Sequence, residues 1–289
     1  MMEDNQIQKE IQSQNQLSND EIISWGQLLS EAKDTLTKAN VPDADIDAWL
    51  LMEHCFSITK SFFFLNRRQI VESKEKIKQY REFIKQRAAR IPLQYLTKTQ
   101  GFMGLEFSVT PAVLIPRQDT ETLCEEALSI GGKTLLDLCC GTGCIGVSLA
   151  KLGGFEVTFA DISPDCLALA RENAALNGVA GSFVLTDMFG NISGSYDMIC
   201  VNPPYIPTSE LASLQAEVKR EPVLALDGGA DGLDFYRRIA RDYATHLSPG
   251  GTLLMEVGAG QAEDVAEMFP KAEIIKDICG IERVVAVRR

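Results

Sequence analysis

The regular alternation of apolar strands and helical segments over residues 134–289 predicts an α/β protein with a doubly wound sheet. Two further observations favour this class. A glycine loop stands between the first strand and its helix, and the first four strands each end in polar residues. A smaller helical domain is predicted to precede the sheet.

The amino-terminal part of the chain divides by composition and periodicity. Residues 1–19 are polar and rich in Gln and Asn, so we expect a disordered tail. Apolar residues at helical spacing over 20–90 predict a helical domain, in which the aromatic block 62–65 is interpreted as core rather than as a binding surface. Because this segment has no motif that would carry chemistry, we expect it to be a substrate-binding domain. Short apolar runs punctuated by Pro and Gly over 91–118 are typical of a β-hairpin linker. Residues 119–289 then form the sheet domain.

Two alternatives remain open for the segment 113–121, which leads into the sheet domain. Its apolar run followed by Pro-Arg and acidic residues is typical of a strand-to-helix turn. It is equally consistent with a lid beside a cofactor.

The first three strands of the sheet each end at a candidate ligand-binding position. Residues 134–138 end at the loop Cys139-Cys140-Gly141-Thr142-Gly143, and its glycines would let the backbone approach a nucleotide-type ligand closely. The second strand ends in Asp161, which follows Gly143 at close to the roughly 20-residue spacing at which an acid meets ribose hydroxyls. The third ends in Asp187. The chain has no Gly-Lys-Ser phosphate loop, so ATP chemistry is not supported.

The fourth strand, residues 196–201, ends in Asn202-Pro203-Pro204-Tyr205. The prolines end the strand and stiffen the loop. The Asn202 side-chain oxygen and the Pro203 carbonyl oxygen offer two acceptors that match the two hydrogens of a planar –NH2 group, whose face the Tyr205 ring would cover. An Asn-Pro sequence is more often a simple turn, but we favour a site because this one ends a strand downstream of a glycine loop. Beyond Tyr205 a polar helix is predicted to run to Lys219.

Composition excludes several classes of function. The 289 residues carry 28 Lys and Arg against 40 Asp and Glu, and a net charge of -12 repels a phosphate backbone, so direct binding to duplex DNA is not expected. The chain has eight cysteines but only two histidines, and the spacing of Cys139, Cys140 and Cys144 matches no common zinc pattern, so no metal is expected. No signal or membrane-spanning segment is evident, which predicts a cytoplasmic protein without a membrane partner.

Taken together, these residues resemble the bacterial release-factor glutamine methyltransferase family over about residues 20–289. The tetrapeptide Asn202-Pro203-Pro204-Tyr205 alone is shared with DNA adenine and with some RNA and ribosomal-protein methyltransferases, but its combination with Leu114-Ile115-Pro116-Arg117 and a helical domain is much narrower. The other matching stretches are Pro92-Leu93-Gln94-Tyr95, the glycine loop, Asp161-Ile162-Ser163-Pro164, Glu221-Pro222, Asp231-Gly232-Leu233 and Pro249-Gly250-Gly251. The chain departs from the family pattern at Cys139, where a glycine is usual.

The resemblance implies a Rossmann-like seven-stranded doubly wound sheet of the class I methyltransferase type, with S-adenosylmethionine as cofactor and S-adenosylhomocysteine as product. The implied reaction is methylation of the side-chain amide of the Gln in the Gly-Gly-Gln motif of peptide chain release factors, which are the implied partners. Asp161 would hold the ribose, Asp187 would accept from the adenine amino group, and Asp137 would order the glycine loop. The implied cofactor-binding residues are Asp137, Cys139, Cys140, Gly141, Thr142, Gly143, Asp161, Ile162, Asp187, Met188 and Asn202, and the implied catalytic and substrate-binding residues are Asn202, Pro203, Pro204 and Tyr205.

Two rival functions differ from this expectation in what they require. A nucleic-acid adenine or guanine N-methyltransferase needs a basic groove or a recognition domain, which the net charge disfavours. A non-catalytic S-adenosylmethionine-binding scaffold predicts a damaged tetrapeptide, whereas Asn202-Pro203-Pro204-Tyr205 is intact.

Overall fold

A computed structural model describes residues 22–289, which form two compact units that divide between Thr97 and Lys98. The tail predicted for residues 1–19 lies outside the described residues. The predicted linker 91–118 contains a short helix and then a hairpin, and the division between the two units falls between those elements.

The first unit is a set of helices around one apolar core. The helices are α1 (Trp25–Lys38), α2 (Ala44–Phe56), α3 (Lys60–Asn66), α4 (Lys74–Ala88) and α5 (Leu93–Thr97). Ser24 begins α1 with a capping box, in which its hydroxyl accepts from the Gln27 backbone and the Gln27 side chain accepts from the Ser24 backbone. A buried ion pair of 2.6 Å joins Arg87 of α4 to Asp47 of α2. All five apolar residues that predicted the first helix are buried: Trp25, Leu28, Leu29, Ala32 and Leu36.

The interpretation of the aromatic block 62–65 as core is wrong for three of its four residues. Phe63 is buried, whereas Phe62, Phe64 and Leu65 are 41%, 72% and 85% exposed. Because successive residues of a helix point about 100° apart, four consecutive apolar residues cannot all face one core. Helix α3 therefore presents an apolar surface to solvent.

The second unit begins with a hairpin and continues as the predicted sheet. The hairpin strands are β1 (Thr99–Phe102) and β2 (Leu105–Ser108). The strands of the sheet are β3 (Thr134–Leu138), β4 (Glu156–Asp161), β5 (Gly181–Leu185), β6 (Tyr196–Val201), β7 (Leu247–Glu256), β8 (Ala272–Lys276) and β9 (Glu282–Arg288). They lie in the order β5-β4-β3-β6-β7-β9-β8, and only β9 pairs antiparallel, with β7 on one side and with the edge strand β8 on the other. The predicted seven-stranded doubly wound sheet is confirmed.

Helices cover both faces of this sheet. One face packs against α6 (Glu121–Ile130), α7 (Cys144–Gly153) and α8 (Pro164–Leu176), and the other packs against α9 (Asp234–His246) and α10 (Ala262–Ala266). Successive residues of β3 alternate between the two cores, as Leu135 and Leu136 do. Strand β3 lies between β4 and β6, so the winding direction changes there, and ligands of such sheets bind at the carboxyl ends of the strands at that point.

The polar helix predicted from Tyr205 to Lys219 is wrong. The segment contains only two 3-10 turns, Thr208–Ser213 and Val218–Arg220, and neither buries a residue. Without a buried face a helix of this length is not held by packing. The backbone is fixed instead by the following loop, because Ile206 N donates to Leu226 O (2.9 Å) and Thr208 N donates to Gly229 O (2.8 Å).

No helix among residues 22–289 combines the length and apolar character needed to cross a bilayer.

Candidate active site

A cavity opens at the carboxyl ends of β3, β4 and β6, where the winding direction of the sheet changes. Of the residues that the sequence indicated, it is lined by Cys139, Cys140, Gly141, Thr142, Asp161, Ile162, Asp187, Met188, Asn202 and Pro204. Asp137, Gly143, Pro203 and Tyr205 do not line it and lie around it. Residues that strand ends and loops predicted separately are therefore brought together at one edge of the sheet.

The glycine loop follows the carboxyl end of β3 and turns sharply there, because three of its residues have a left-handed backbone. Cys139, Gly141 and Gly143 have positive φ angles of 58°, 53° and 76°. Gly141 N donates to Asp161 Oδ2 (2.9 Å), which ties the loop to the end of β4. A Cβ atom on Gly141 would meet no atom within 4 Å and would stand in open space, so the bare backbone leaves room for a ligand.

Asp137 lies beneath this loop and is fully buried. Its Oδ2 accepts from Gly146 N (2.9 Å) in the first turn of α7, and its Oδ1 has no hydrogen-bond partner within the described part of the chain. Burial raises the pKa of Asp137 well above its usual range, against the lowering effect of the Gly146 hydrogen bond. Asp137 thus fixes the start of α7 and does not itself reach the cavity.

Two further acids lie on the cavity wall in different environments. Asp161 accepts from Gly141 N and from Ser163 N (2.9 Å each), and burial raises its pKa while these hydrogen bonds lower it. Asp187 is more exposed and pairs with Arg238 at 2.6 Å. Both carboxylates keep lone pairs to accept hydrogen bonds from a ligand.

Asn202 is oriented by a neighbour that the sequence did not indicate. Its Nδ2 donates to Thr120 Oγ1 at 3.3 Å, and none of residues 22–289 donates a hydrogen bond to its Oδ1. The Pro203 carbonyl oxygen likewise accepts no backbone hydrogen bond within these residues. The two acceptors that were predicted to bind an –NH2 group are therefore both available, and Asn202 lines the cavity.

Tyr205 does not line the cavity and is fixed by contacts with Glu256 and Gln261. Its hydroxyl lies 3.5 Å from Glu256 Oε1, and its carbonyl oxygen accepts from Gln261 Nε2 at 3.0 Å. Burial raises the Tyr205 pKa above its usual value. The expectation that its ring covers the face of a planar substrate group stays a prediction.

The segment 114–117 forms part of the cavity wall. Leu114, Pro116 and Arg117 line the cavity, and the segment is fixed by Glu221, which pairs with Arg117 and accepts from Ile115 N at 3.0 Å. Glu221 is buried, so its charge is compensated within the protein. Of the two alternatives open for this stretch, its position beside the cavity favours the lid.

Comparison with known proteins agrees with this architecture. Residues 27–97 match the model of the PrmC N-terminal domain, and residues 118–219 match that of the methyltransferase small domain. The release factor glutamine methyltransferase of Geobacter sulfurreducens is 39% identical over 278 residues, which cover 93% of this chain and 98% of that protein. That of Deinococcus radiodurans is 37% identical over 271 residues, covering 91% and 97%. The chain belongs to the release factor glutamine methyltransferase family.

Two solved structures share the fold over part of this chain at low sequence identity. The catalytic domain of hMettl16 superimposes with a TM-score of 0.51 at 16% identity, covering 71% of this chain and 81% of that one. A methyltransferase from Pyrococcus furiosus has a TM-score of 0.50 at 16% identity, covering 64% and 89%. They confirm the class I methyltransferase fold.

Within this release factor glutamine methyltransferase fold, sequence reasoning missed several residues around the cavity. Arg117 and Glu221 both stand in stretches that carried the family resemblance, but their pairing was not predicted because they are far apart in the chain. Thr120 is a single threonine in a polar stretch and gave no signal. Glu256, however, is an acid at the carboxyl end of the apolar strand β7, the same signal that indicated Asp161.

No group of three or more His, Cys, Asp or Glu among residues 22–289 is arranged to hold a metal ion. Burial raises the pKa of Cys139, Cys140 and Cys144 above the usual value of a thiol, so these residues are held as neutral thiols.

Proposed function

We propose that this protein transfers a methyl group from S-adenosylmethionine to the side-chain amide nitrogen of the Gln in the Gly-Gly-Gln motif of peptide chain release factors. The observation that carries the proposal is the free Asn202 Oδ1 on the cavity wall, with its Nδ2 engaged by Thr120. Membership of the release factor glutamine methyltransferase family supports the choice of substrate.

The residues around the cavity fit S-adenosylmethionine. Open space at Gly141 admits a ligand against the backbone, and Asp161 and Asp187 supply acceptors for ribose hydroxyls and for an adenine amino group. The remaining members of the proposed binding set are Asp137, Cys139, Cys140, Thr142, Gly143, Ile162, Met188 and Asn202. The cofactor supplies a methyl group activated on a sulfonium sulfur and leaves as S-adenosylhomocysteine.

The protein's part in the reaction is to bind and orient a poor nucleophile. An amide nitrogen shares its lone pair with the carbonyl group, so it needs alignment before it can react. Asn202 Oδ1 and the Pro203 carbonyl oxygen would each accept one N–H of the glutamine amide. Such alignment contributes about 7–11 kcal/mol in the best cases, and fixed acceptor dipoles stabilise positive charge as it develops on nitrogen. After transfer the nitrogen loses one proton to water.

Several properties of the proposed enzyme follow from the sequence and remain proposals. The helical segment 20–90 would contact the release factor, the segment 91–118 would link it to the catalytic part, and residues 119–289 would carry out the methyl transfer. We expect a cytoplasmic protein that needs neither a membrane nor duplex DNA.

The test is mass spectrometry of a release factor after incubation with the protein and S-adenosylmethionine. We expect one added methyl group on the Gln of the Gly-Gly-Gln motif. A release factor in which this Gln is replaced by Glu is the matched control, because it has the same shape but no amide nitrogen. An unmodified release factor, combined with methyl incorporation into RNA or DNA, would favour a nucleic-acid methyltransferase instead.

A further inference from the structure

Asn173, on helix α8, is a buried polar residue that the proposed reaction does not use. Its exposed fraction is 0%. Its Oδ1 accepts from Ser108 N at 2.7 Å, and its Nδ2 donates to Ser108 O and to Thr142 O at 3.0 Å each. The Asn173 amide therefore joins two segments that are far apart in the chain, the hairpin β1-β2 and the glycine loop.

Ser108, the last residue of β2, fixes the direction of the Asn173 amide. An Asn amide has a donor end and an acceptor end of nearly equal shape, so its orientation follows from its hydrogen-bond partners. A backbone N–H only donates and a carbonyl oxygen only accepts, so Ser108 accommodates just one of the two orientations. In that orientation the second Nδ2 hydrogen is directed to Thr142 O.

Helix α8 contacts the glycine loop at a second point, one turn before Asn173. Ala170 lies on the same face of the helix, three residues earlier. A Cβ atom on Gly143 would lie 3.0 Å from the Ala170 Cβ and 3.3 Å from the Ala170 Cα, so the loop backbone packs directly on α8 there. Helix α8 thus supports two successive loop residues, and one of them, Thr142, lines the cavity.

The glycine loop needs such external support because its own backbone is permissive. Gly141 and Gly143 have positive φ angles, and glycine reaches many other conformations at little cost. Thr142 is 2% exposed, so its carbonyl oxygen has little access to water as a replacement for Asn173. A buried carbonyl without a partner is unfavourable, so loss of the Asn173 bond should let the peptide between Thr142 and Gly143 turn.

We propose that Asn173, oriented by Ser108, is a positioning residue that holds the glycine loop in the shape that binds S-adenosylmethionine. Asn173 does not line the cavity and acts through Thr142, which does. The hairpin, which also does not line the cavity, thereby takes part in cofactor binding. This inference rests on the proposed cofactor site at the glycine loop.

The chain offers a matched control in Asn177, which immediately follows α8. Its Nδ2 donates to Glu106 O of the same hairpin at 3.0 Å and to Asn173 O at 2.9 Å, and none of its hydrogen bonds within residues 22–289 reaches the glycine loop. Asn177→Ala therefore removes an asparagine bond to the hairpin and keeps the bond to Thr142. Asn173→Ala removes both kinds of bond.

The first test is calorimetric titration of the whole chain with S-adenosylmethionine and with S-adenosylhomocysteine, at a temperature at which circular dichroism shows every variant folded. We expect affinity to fall by about fivefold to tenfold in Asn173→Ala, the effect of one net hydrogen bond, and to stay within about twofold in Asn177→Ala. A purely structural role would lower the stability of both variants and leave the affinity of the folded proteins unchanged. Wild-type affinity in Asn173→Ala, or equal losses in the two variants, overturns the proposal.

The second test reads the loop itself and needs neither cofactor nor methyl transfer. Hydrogen exchange is followed by mass spectrometry in peptides that contain residues 139–143, where Gly141 N donates to Asp161 Oδ2 and Gly143 N donates to Cys140 O. We expect exchange there to be about fivefold to tenfold faster in Asn173→Ala and unchanged in Asn177→Ala. Exchange at the wild-type rate in Asn173→Ala overturns the proposal.

Single-turnover methyl transfer to a release factor separates positioning of the loop from the chemical step. At saturating S-adenosylmethionine the rate in Asn173→Ala should stay within about twofold of wild type, because Asn202 is untouched, and it should fall only at limiting cofactor. A loss that persists at saturation overturns the proposal. If Asn173→Ala does not fold, Asn173→Ser, whose side chain ends one atom earlier than asparagine, takes its place in all three comparisons. If the wild type binds S-adenosylmethionine but fails to methylate a release factor, the proposed function is wrong, and titration and exchange still decide the role of Asn173.

Discussion

Replacing Glu256 by Gln should change how the stability of the protein depends on pH. The Glu256 pKa is raised from 4.5 to about 7, chiefly by burial. Because the folded pKa lies above the unfolded one, the native state binds this proton more tightly. Its contribution to stability is fully present below about pH 4.5 and is lost as pH rises through about 7.

The size of the effect follows from the pKa difference. A change of one pKa unit corresponds to about 1.36 kcal/mol, so ionising Glu256 in the folded protein costs on the order of 3 kcal/mol. Gln has the same shape and does not titrate. The difference in unfolding free energy between wild type and Glu256→Gln should therefore fall by up to about 3 kcal/mol from acid to alkaline pH. Asp137 and Asp161 also have raised pKa values, but their titration is common to both proteins.

Urea unfolding at several values between about pH 5 and about pH 8.5 measures this difference. Both tryptophans, Trp25 and Trp49, belong to the first compact unit, so their fluorescence reports on that unit. Far-UV circular dichroism follows the whole protein, including the sheet that contains Glu256. If the two units unfold separately, the difference in unfolding free energy between wild type and Glu256→Gln should depend on pH in the circular dichroism transition. It should not depend on pH in the fluorescence transition. A free-energy difference that stays constant across this range refutes the reasoning.

Three other substitutions test separate parts of the site. Asn202→Ala should slow single-turnover methyl transfer by about 100- to 1000-fold, the usual effect of losing a preorganised group, and leave S-adenosylmethionine affinity within a few fold; a near-normal rate contradicts the assignment. Asp161→Ala should weaken S-adenosylmethionine binding by about 1.5–3 kcal/mol in calorimetric titration, and unchanged affinity would remove Asp161 from the site. Gly146→Ala should destabilise the protein by about 1–3 kcal/mol in urea unfolding, because its Cβ would lie 2.8 Å from Asp137 Oδ2. Gly101→Ala is its control, since a Cβ there meets nothing within 4 Å, and equal stability of the two variants contradicts the packing argument.

The sheet and its ligand-binding edge were predictable because they depend on local patterns. Buried parallel strands appear as short apolar runs, and a polar residue at the end of each run lies at the same edge of the sheet. That reasoning placed Asp161, Asp187 and Asn202 around one cavity before the strand order was known. It also applies to Glu256, which was overlooked although the glycine turn 258–260 follows it.

What could not be predicted depends on contacts between distant parts of the chain. The orientation of Asn202 is set by Thr120, and the wall segment that contains Arg117 is fixed by Glu221. Neither pair has a spacing that a local pattern could reveal. The helix predicted after Tyr205 was wrong for the same reason, a contact with a distant part of the chain. Backbone hydrogen bonds to the loop at Leu226 and Gly229 override the local helical preference.

The departure from the family pattern at Cys139 is explained by what each position of the glycine loop requires. Cys139 needs a left-handed backbone, with φ at 58°, and a non-glycine residue adopts this at a cost of about 1–2 kcal/mol. Its Sγ lies 3.9 Å from Met188 Sδ, so the side chain has a place to pack. Gly143, by contrast, has no room, because a Cβ there would lie 3.0 Å from the Ala170 Cβ. Position 139 thus requires a left-handed backbone but leaves room for a side chain, so a cysteine can replace the usual glycine there. Position 143 leaves no room for a Cβ atom, so it requires glycine.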